Sequence, residues 1–455
     1  MKKILIFFGI LVLVAVAGLA IFIATFNLDR YRPQVIQQIE TVVRKPVQIE
    51  RLSLGWRGGI ALEMKGLMIG SGDKAQPEPI IQVEKVSSVV RLWPLLKKDI
   101  QVASVSIVRP RLYLERRPNG SINLMELVPP QEQKGVPAST QRAAEILPLL
   151  IGMIRVEDGT IRVVDQMQQP PLNLILENLE VTVRNASLSR LDLQNLSARL
   201  AGGTVKLKGT VEGLTSQPRA KLNANLEKVA LESLLPAQAP GQPSVRGRLS
   251  ASFDGSVQGT DPQQILATLA GNGQVNLSDG VFVNMNILRE VFQKISILPG
   301  LVETLLTRLP ESYQARFAEN DTRLKNVQTQ FSVSGGALSF SNLRVETDTF
   351  ELGGAGQAGL DGSVNAKATL TVEPQLSAAI IRSVAELQYL TDKQGRLEFP
   401  VTIRGHAPRL ALLPDVGHLA SHLTREKAEE LIGDVLNRVL NKKKDLAADP
   451  TQGTH

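Results

Sequence analysis

The feature that most constrains this chain is an alternation of apolar and polar side chains with a period of two. Val245, Gly247, Leu249, Ala251 and Phe253 share one parity, with Arg246, Arg248, Ser250 and Ser252 between them. Val364, Ala366, Ala368, Leu370 and Val372 alternate with Asn365, Lys367, Thr369 and Thr371. Leu397, Phe399, Val401 and Ile403 repeat the pattern, as do Leu172, Leu174 and Leu176, then Leu179, Val181 and Val183. Successive side chains of a strand point to opposite faces, so each run makes a strand with one apolar and one polar face, the usual form of antiparallel sheet. Turn-forming residues punctuate the runs: Pro118-Asn119-Gly120, Asp158-Gly159, Gly202-Gly203, Asn272-Gly273, Asp279-Gly280, Gly335-Gly336 and Asp361-Gly362. The spacing predicts a mainly β chain of about 20–25 strands joined as hairpins and meanders.

Helical periodicity is confined to a few segments. Val35, Ile36, Ile39, Val42 and Val43 predict a short helix over 30–43. A helical pair is expected over 284–316, interrupted at Pro299-Gly300 and at Pro310, and another helix over 375–390, entered after Pro374. In 424–440, Ala428, Leu431, Ile432, Val435, Leu436, Val439 and Leu440 form one apolar stripe, followed by Lys442, Lys443 and Lys444, which suit a helix C-terminus. Three roles fit this amphipathic helix: capping an end of the sheet, packing on a partner, or lying on a membrane with its lysines near anionic headgroups.

The N-terminus sets the expected compartment. Lys2 and Lys3 precede an uncharged run over 4–26, about 23 residues, which as a helix would be roughly 35 Å long and could cross a hydrocarbon core of about 30 Å. Small residues at Ala15, Ala17, Gly18 and Ala20 also suit a cleaved signal, but Ile21-Phe22-Ile23 carries the run past the usual signal core and favours a retained anchor. With three residues before the run and no second apolar span after it, the body is expected on the far side of a bacterial inner membrane, in the periplasm. The expected organisation is a cytoplasmic start at 1–3, the anchor at 4–26, an N-terminal β unit at 27–128 and a Pro- and Gln-rich linker at 129–140. A repetitive β domain at 141–423, the helix at 424–441 and a basic tail at 442–455 complete it.

Composition narrows the chemistry. There is no cysteine, so disulfides, thiolate metal sites and thiol nucleophiles are excluded. The formal charge of +7 is spread along the chain without aromatic clustering, which argues against nucleic acid as a partner. Gly354-Ala355-Gly356-Gln357-Ala358-Gly359 has the letters of a dinucleotide loop but runs into another alternating strand instead of a helix, so a glycine-rich β turn is expected there. His418 and His422 are four apart but lack a third ligand type between them, and a solvated helix start is preferred over a metal site. No G-x-S-x-G is present. The chain reads as a non-enzyme without cofactor or metal.

In their order, these pieces resemble the AsmA family. Arg44-Lys45-Pro46-Val47-Gln48-Ile49 with Leu52-Ser53-Leu54 looks like that family's opening strand. Leu92-Trp93-Pro94-Leu95-Leu96 leads into the run 105–114, and Asn119-Gly120-Ser121-Ile122-Asn123 resembles the family's G-x-x-N ending. Val156-Glu157-Asp158-Gly159-Thr160-Ile161 with Asp165 fits the next unit. Within a family-like C-terminal region over about 265–415, the stretch 271–282 is similar to a G-x-G-x-V-x-L-x-D-G pattern, followed by a helix and the runs 338–345, 350–356 and 397–405.

The resemblance implies a long, curved antiparallel sheet with a hydrophobic groove, anchored in the inner membrane. It is similar to bridge-like lipid transfer proteins and implies a role in moving phospholipid toward the outer membrane. On that reading, acyl chains contact the inward positions Val245, Leu249, Phe253, Val364, Leu370, Val372, Leu397, Phe399, Val401 and Ile403. The alternation itself leaves a closed sandwich open, in which the apolar faces pack on each other. A scaffold that binds outer-membrane assembly proteins through its polar faces and loops is the alternative function.

Overall fold

The computed structural model describes residues 27–421, except 58, 71–77, 92–100, 128–150, 188, 215–216, 236–240, 296–299, 408 and 418–419. The expected anchor, the proline-rich linker, the C-terminal amphipathic helix, the basic tail, His418 and His422 lie outside the described residues. No described helix is long and apolar enough to cross a membrane. Eighteen strands are present among the described residues, and the fold is mainly β with few helices.

The chain divides into two units, and the division falls within strands β11 (Ser244–Gln258) and β12 (Ala270–Val283). The first unit takes the chain up to Ala237 and again from Leu249 to Gly273. Its strands are β1 (Val47–Gln48), β2 (Arg51–Trp56), β3 (Ile60–Ile69), β4 (Ile81–Val90), β5 (Val102–Arg116), β6 (Ile151–Asp165), β7 (Leu172–Ala186), β8 (Arg190–Leu200), β9 (Gly203–Glu212) and β10 (Arg219–Ala230). From β2 to β10 each strand bonds to the next in sequence. β1 joins the same edge of β3 as β2 does. All these pairs are antiparallel except β5–β6, which is parallel and has residues 117–150 as its connection. A parallel pair requires such a long crossover, because a hairpin reverses direction.

Helix α1 (Arg32–Val43) follows a single 3-10 turn, Leu28–Tyr31, and starts with Pro33 in its first turn, where a missing N–H costs nothing. It ends at Arg44 in the left-handed region. Its Val35, Ile36, Ile39 and Val43 pack, with Leu28 and Leu127, on a cluster of Val47, Ile49, Leu52 and Ile69. Polar contacts fix this corner. Asp29 accepts from the backbone N–H of Leu52 (3.0 Å) and Glu40 from that of Val47 (2.9 Å). Glu126 accepts from Lys45 (2.7 Å) and from Arg117.

The second unit holds an antiparallel meander of β13 (Thr322–Ser334), β14 (Ala337–Glu346), β15 (Phe350–Gly359), β16 (Ser363–Val372), β17 (Glu398–His406) and β18 (Arg409–Pro414). The helical pair expected over 284–316 is three short helices: α3 (Ile287–Gln293), α4 (Leu301–Arg308) and α5 (Glu311–Ala318). Gly300, at φ 72°, begins α4, and Pro310 begins α5, so each predicted interruption is a helix start. The expected helix at 375–390 is α6 (Pro374–Ser383) plus a 3-10 turn, Ala385–Leu390. The Glu373 carboxylate caps α6 by accepting from the N–H groups of Gln375 and Leu376. The remaining short helix, α2 (Pro262–Thr268), lies between β11 and β12 and is N-capped by Asp261.

Three expected turns are strand interior instead. Asp158-Gly159 lies inside β6, and Asn272-Gly273 and Asp279-Gly280 lie inside β12, which is why strands of 14 and 15 residues replace pairs of shorter ones. The glycine run 354–359 is likewise strand, not turn. A Cβ at Gly354 would lie 2.5 Å from the carbonyl oxygen of Lys367, and one at Gly356 would lie 2.4 Å from the Ala366 Cβ. Glycine is there for close approach of adjacent strands.

Candidate functional site

Residues opposite each other in adjacent strands project from the same face, so the registers of the first unit connect side chains into rows across the sheet. One row reads Leu52, Met64, Val86, Ile107, Val156, Val181, Leu196, Leu207, Ala224 over nine strands. A second reads Val47, Ile69, Ile81, Leu112, Ile161, Leu176, Leu200, Gly203. A third reads Leu54, Leu62, Ser88, Val105, Ile154, Val183, Leu193, Gly209, Leu222. In twenty-six positions the one hydrogen-bonding side chain is Ser88, and none carries charge. At about 4.8 Å per strand, a nine-strand row is about 38 Å long.

The rows share one face because the alternation slips by one residue within several strands. In β5 the apolar parity changes between Ile107 and Pro110, in β6 between Val156 and Ile161, and in β7 between Leu176 and Leu179. At each slip sits a non-glycine residue in the left-handed region: Arg109 (φ 47°), Asp158 (φ 52°) and Asn178 (φ 51°). In β3 the equivalent position is Gly66 (φ 63°). Met64 and Leu67, on either side of it, both pack against the cluster beneath α1, so the face is continuous across the slip. Such bulges bend the strand and sharpen its twist. The N–H of Asp158 is satisfied by the Glu180 carboxylate (3.0 Å) on the next strand, and Arg109 donates to Glu84.

The bulges form a crease across the sheet, and the row along it is the most enclosed part of this face. Val83, Pro110, Gly159, Leu179 and Ala198 are buried, whereas the flanking positions Ile107, Val156, Val181 and Leu196 are half-buried. Outside the crease, Val183 and Gly203 are also buried, as are Val47, Leu52 and Ile69 beneath α1. Helix α1 covers the corner made by β1 to β4. Among the described residues, β6 to β10 pack chiefly on their sheet neighbours, with no helix laid on them.

Charge is kept on the other side. Lys206 pairs with Glu227 (3.0 Å), Arg190 with Asp192 (2.8 Å) and Glu212 (3.1 Å), and Arg162 with Glu78 (3.1 Å). Asn185, then Arg190, hold the Asp192 carboxyl below its usual range, and a hydrogen bond from Arg109 does the same to Glu84. Asn223 donates to Asp254 (3.2 Å), which sets Asp254 on the polar face and Leu249, Ala251 and Phe253 on the apolar one. One margin of the apolar face ends in the pair Arg116–Asp165 (3.5 Å), opposite Leu172. No group of acidic or histidine side chains among the described residues is arranged to hold a metal ion.

The ten positions expected to contact acyl chains are separated by the structure. Leu249 and Phe253 are half-buried in the first unit, and Val245 and Val364 are half-buried in the second. Leu370, Val372, Leu397 and Phe399 are fully enclosed, with Val401 and Ile403 nearly so. Leu370 faces Phe399 across β16–β17, and the Phe399 ring meets Phe292 of α3 edge-on at 5.0 Å. Phe292 in turn meets Phe317 of α5 at 5.6 Å. In the second unit, helices therefore close the apolar side of the meander into a protein core, and these six side chains belong to it. The rows of β5 to β10 were not singled out by sequence, although the strict alternation in 219–226 and the alternation in 196–200 carry the necessary signal.

The first unit is a mainly antiparallel sheet with an uncharged apolar face, and the second is an antiparallel meander packed against short helices, which makes this a mainly β protein. The AsmA family model matches residues 1–190 and 173–343, and the chain belongs to the AsmA family. It is similar to Protein AsmA of Escherichia coli (strain K12), with 22% identity over 249 residues, 54% of this chain and 37% of that protein. The match thus spans little more than a third of that relative's length.

Proposed function

We propose that this protein is a non-catalytic, inner-membrane-anchored periplasmic protein that binds or conducts phospholipid acyl chains and supports lipid transport to, or homeostasis of, the outer membrane. The observation that carries the reading is the set of uncharged rows crossing up to nine strands, which helix α1 covers at β1 to β4 and no described helix covers over β6 to β10. An apolar surface of that extent normally marks a binding site, because leaving it in water is costly. Acyl chains would recover about 0.8 kcal/mol for each methylene removed from water. The acyl contacts are assigned to β5 to β11 of the first unit, including Leu249 and Phe253. The apolar run 4–26 supports the anchor, and helix α1 sits directly after it in sequence, over the first strands of the rows.

The test is mass spectrometry of lipid that copurifies with the full chain after mild detergent extraction. Phospholipid retained in stoichiometric amount after exchange into a lipid-free detergent is expected. A folded protein recovered without lipid, and unable to take it up from vesicles, would refute the proposal.

A further inference from the structure

We propose that the first edge of the first unit, made by β2 and its turn into β3, rests on the anionic headgroup layer of the membrane that holds the anchor. Trp56 enters the interface, and Arg51 and Lys65 meet its phosphates. The inference rests on the anchor reading above and adds a second contact with the same membrane.

Three contacts fix the end from which the chain reaches this edge. The Glu40 carboxylate accepts from the N–H of Val47 (2.9 Å), Arg32 donates to the carbonyl of Glu50, and Asp29 accepts from the N–H of Leu52 (3.0 Å). Followed backward from Glu40 to Asp29, the chain therefore climbs β1 and β2 toward Trp56. The apolar run 4–26, which ends next to Asn27, joins the unit on the Trp56 side of Asp29. At about 3.3 Å per residue, Trp56 lies about 13 Å beyond Leu52 along the strand.

The side chains at this edge suit a bilayer surface. Trp56 is 54% exposed and Leu62, its diagonal neighbour on β3, is 40% exposed. An indole prefers the boundary between hydrocarbon and water, where its ring is covered and its N–H keeps a partner. On the polar face, Arg51 lies opposite Lys65, and Lys65 opposite Lys85. Like charges directly opposite one another destabilise a sheet. Among the described residues, Lys85 alone of the three has an ion pair, with Glu63 (2.8 Å), which also accepts from Arg57 (3.2 Å). Arg51 and Lys65 are exposed. Glu84, which Lys65 attracts, is hydrogen-bonded to Arg109 instead. Two cations without a local counter-charge and an exposed tryptophan match a surface of phosphates over hydrocarbon. A partner protein would have to reach this edge past the bilayer to which the run 4–26 ties it.

The chain has two tryptophans, so Trp93→Phe leaves Trp56 as the sole reporter. The full chain carrying that substitution is reconstituted in vesicles of phosphatidylethanolamine and phosphatidylglycerol doped with a phospholipid brominated either high or deep in its acyl chains. Blue-shifted Trp56 emission is expected, quenched more by the shallow bromine than by the deep one. If Trp93→Phe does not fold, Trp56 is read as the difference between the unsubstituted chain and Trp56→Phe. Arg51→Gln combined with Lys65→Gln should lower the ratio of seated to unseated Trp56 about thirtyfold in these vesicles. In vesicles of phosphatidylcholine alone the same pair should change nothing, and thermal unfolding checks that the fold is kept. Equal quenching with and without the two cations in the anionic vesicles would overturn the headgroup assignment. A chain that floats with the vesicles while Trp56 keeps the emission of an indole in water, untouched by either bromine, would overturn the edge contact and keep the anchor. A chain that does not float with them would overturn both.

Discussion

Leu196 and Leu370 both project from the apolar face of a strand, but Leu196 is half-buried on β8 and Leu370 is fully enclosed on β16. Replacing each with aspartate separates an exposed binding face from a closed core. At Leu370 the substitution forfeits about 1.5–3 kcal/mol of leucine burial and leaves a carboxylate without a partner, at about 3–5 kcal/mol. A total of roughly 5–8 kcal/mol is comparable with the whole stability of an ordinary domain, so the second unit should unfold or nearly so. At Leu196 the carboxylate keeps its water in the lipid-free protein, and the cost should be about 1–2 kcal/mol of lost packing. With lipid present, a solvated charge there excludes about three methylenes, about 2.4 kcal/mol, or about fiftyfold in affinity. Urea unfolding of both variants gives the first comparison, and lipid retained by Leu196→Asp gives the second. If Leu196→Asp destabilised the protein as severely as Leu370→Asp, its face would be a closed core. If it folded and kept its lipid, the rows would not be the binding surface.

Glu126 is held below the ordinary glutamate value of 4.5, chiefly by its hydrogen bond from Lys45 and then by Arg117. Because the folded value is the lower one, this corner's contribution is complete above about pH 4.5 and disappears as pH falls through the depressed value. Glu126→Gln should accordingly flatten the acid limb of the thermal midpoint between about pH 5 and pH 3. Asp158→Val, which puts a β-branched side chain at φ 52°, should cost at least about 1–2 kcal/mol, while Asp158→Gly should be close to neutral in thermal unfolding. Phe399→Ala should cost about 3–5 kcal/mol, and a double-mutant cycle with Phe292→Ala should return a coupling of about 0.5–1.5 kcal/mol. Additivity of the two would contradict the edge-on contact.

Much of the fold was legible because alternation is a local property. The strands around 172–183, 244–258 and 363–372 each announce an apolar and a polar face from residue type alone. What misled was chemistry shared by two structures. Asp-Gly suits a hairpin turn because aspartate tolerates the left-handed region and glycine avoids a clash. The same two properties suit a bulge inside a strand, and at Asp158-Gly159 and Asp279-Gly280 the bulge is what forms. The gap from Leu176 to Leu179 is three residues, not two, and marks the slip to a reader who expects it. The assignment of Leu370 and Phe399 could not be made locally. Whether an apolar strand face meets helices depends on where residues 287–318 and 374–390 pack, a long-range fact that alternation does not encode.

The way the first unit is assembled has a consequence for how such a protein changes in size. From β2 to β10 every strand is bonded to its neighbour in sequence, so each strand's pairing partners are local apart from the joint at β5–β6. Stability in such a lattice accumulates from nearest-neighbour terms, as in solenoids, and no distant contact has to be rebuilt when the array is lengthened. Inserting one hairpin leaves the direction of every later strand unchanged and lengthens each row by about 9.6 Å. An odd number of strands is harder, because the sheet must then run two strands the same way. The crossover over 117–150 is a place where this chain already does so. Reach is therefore a heritable variable of the architecture, adjustable one hairpin at a time without redesign of the surface that is extended.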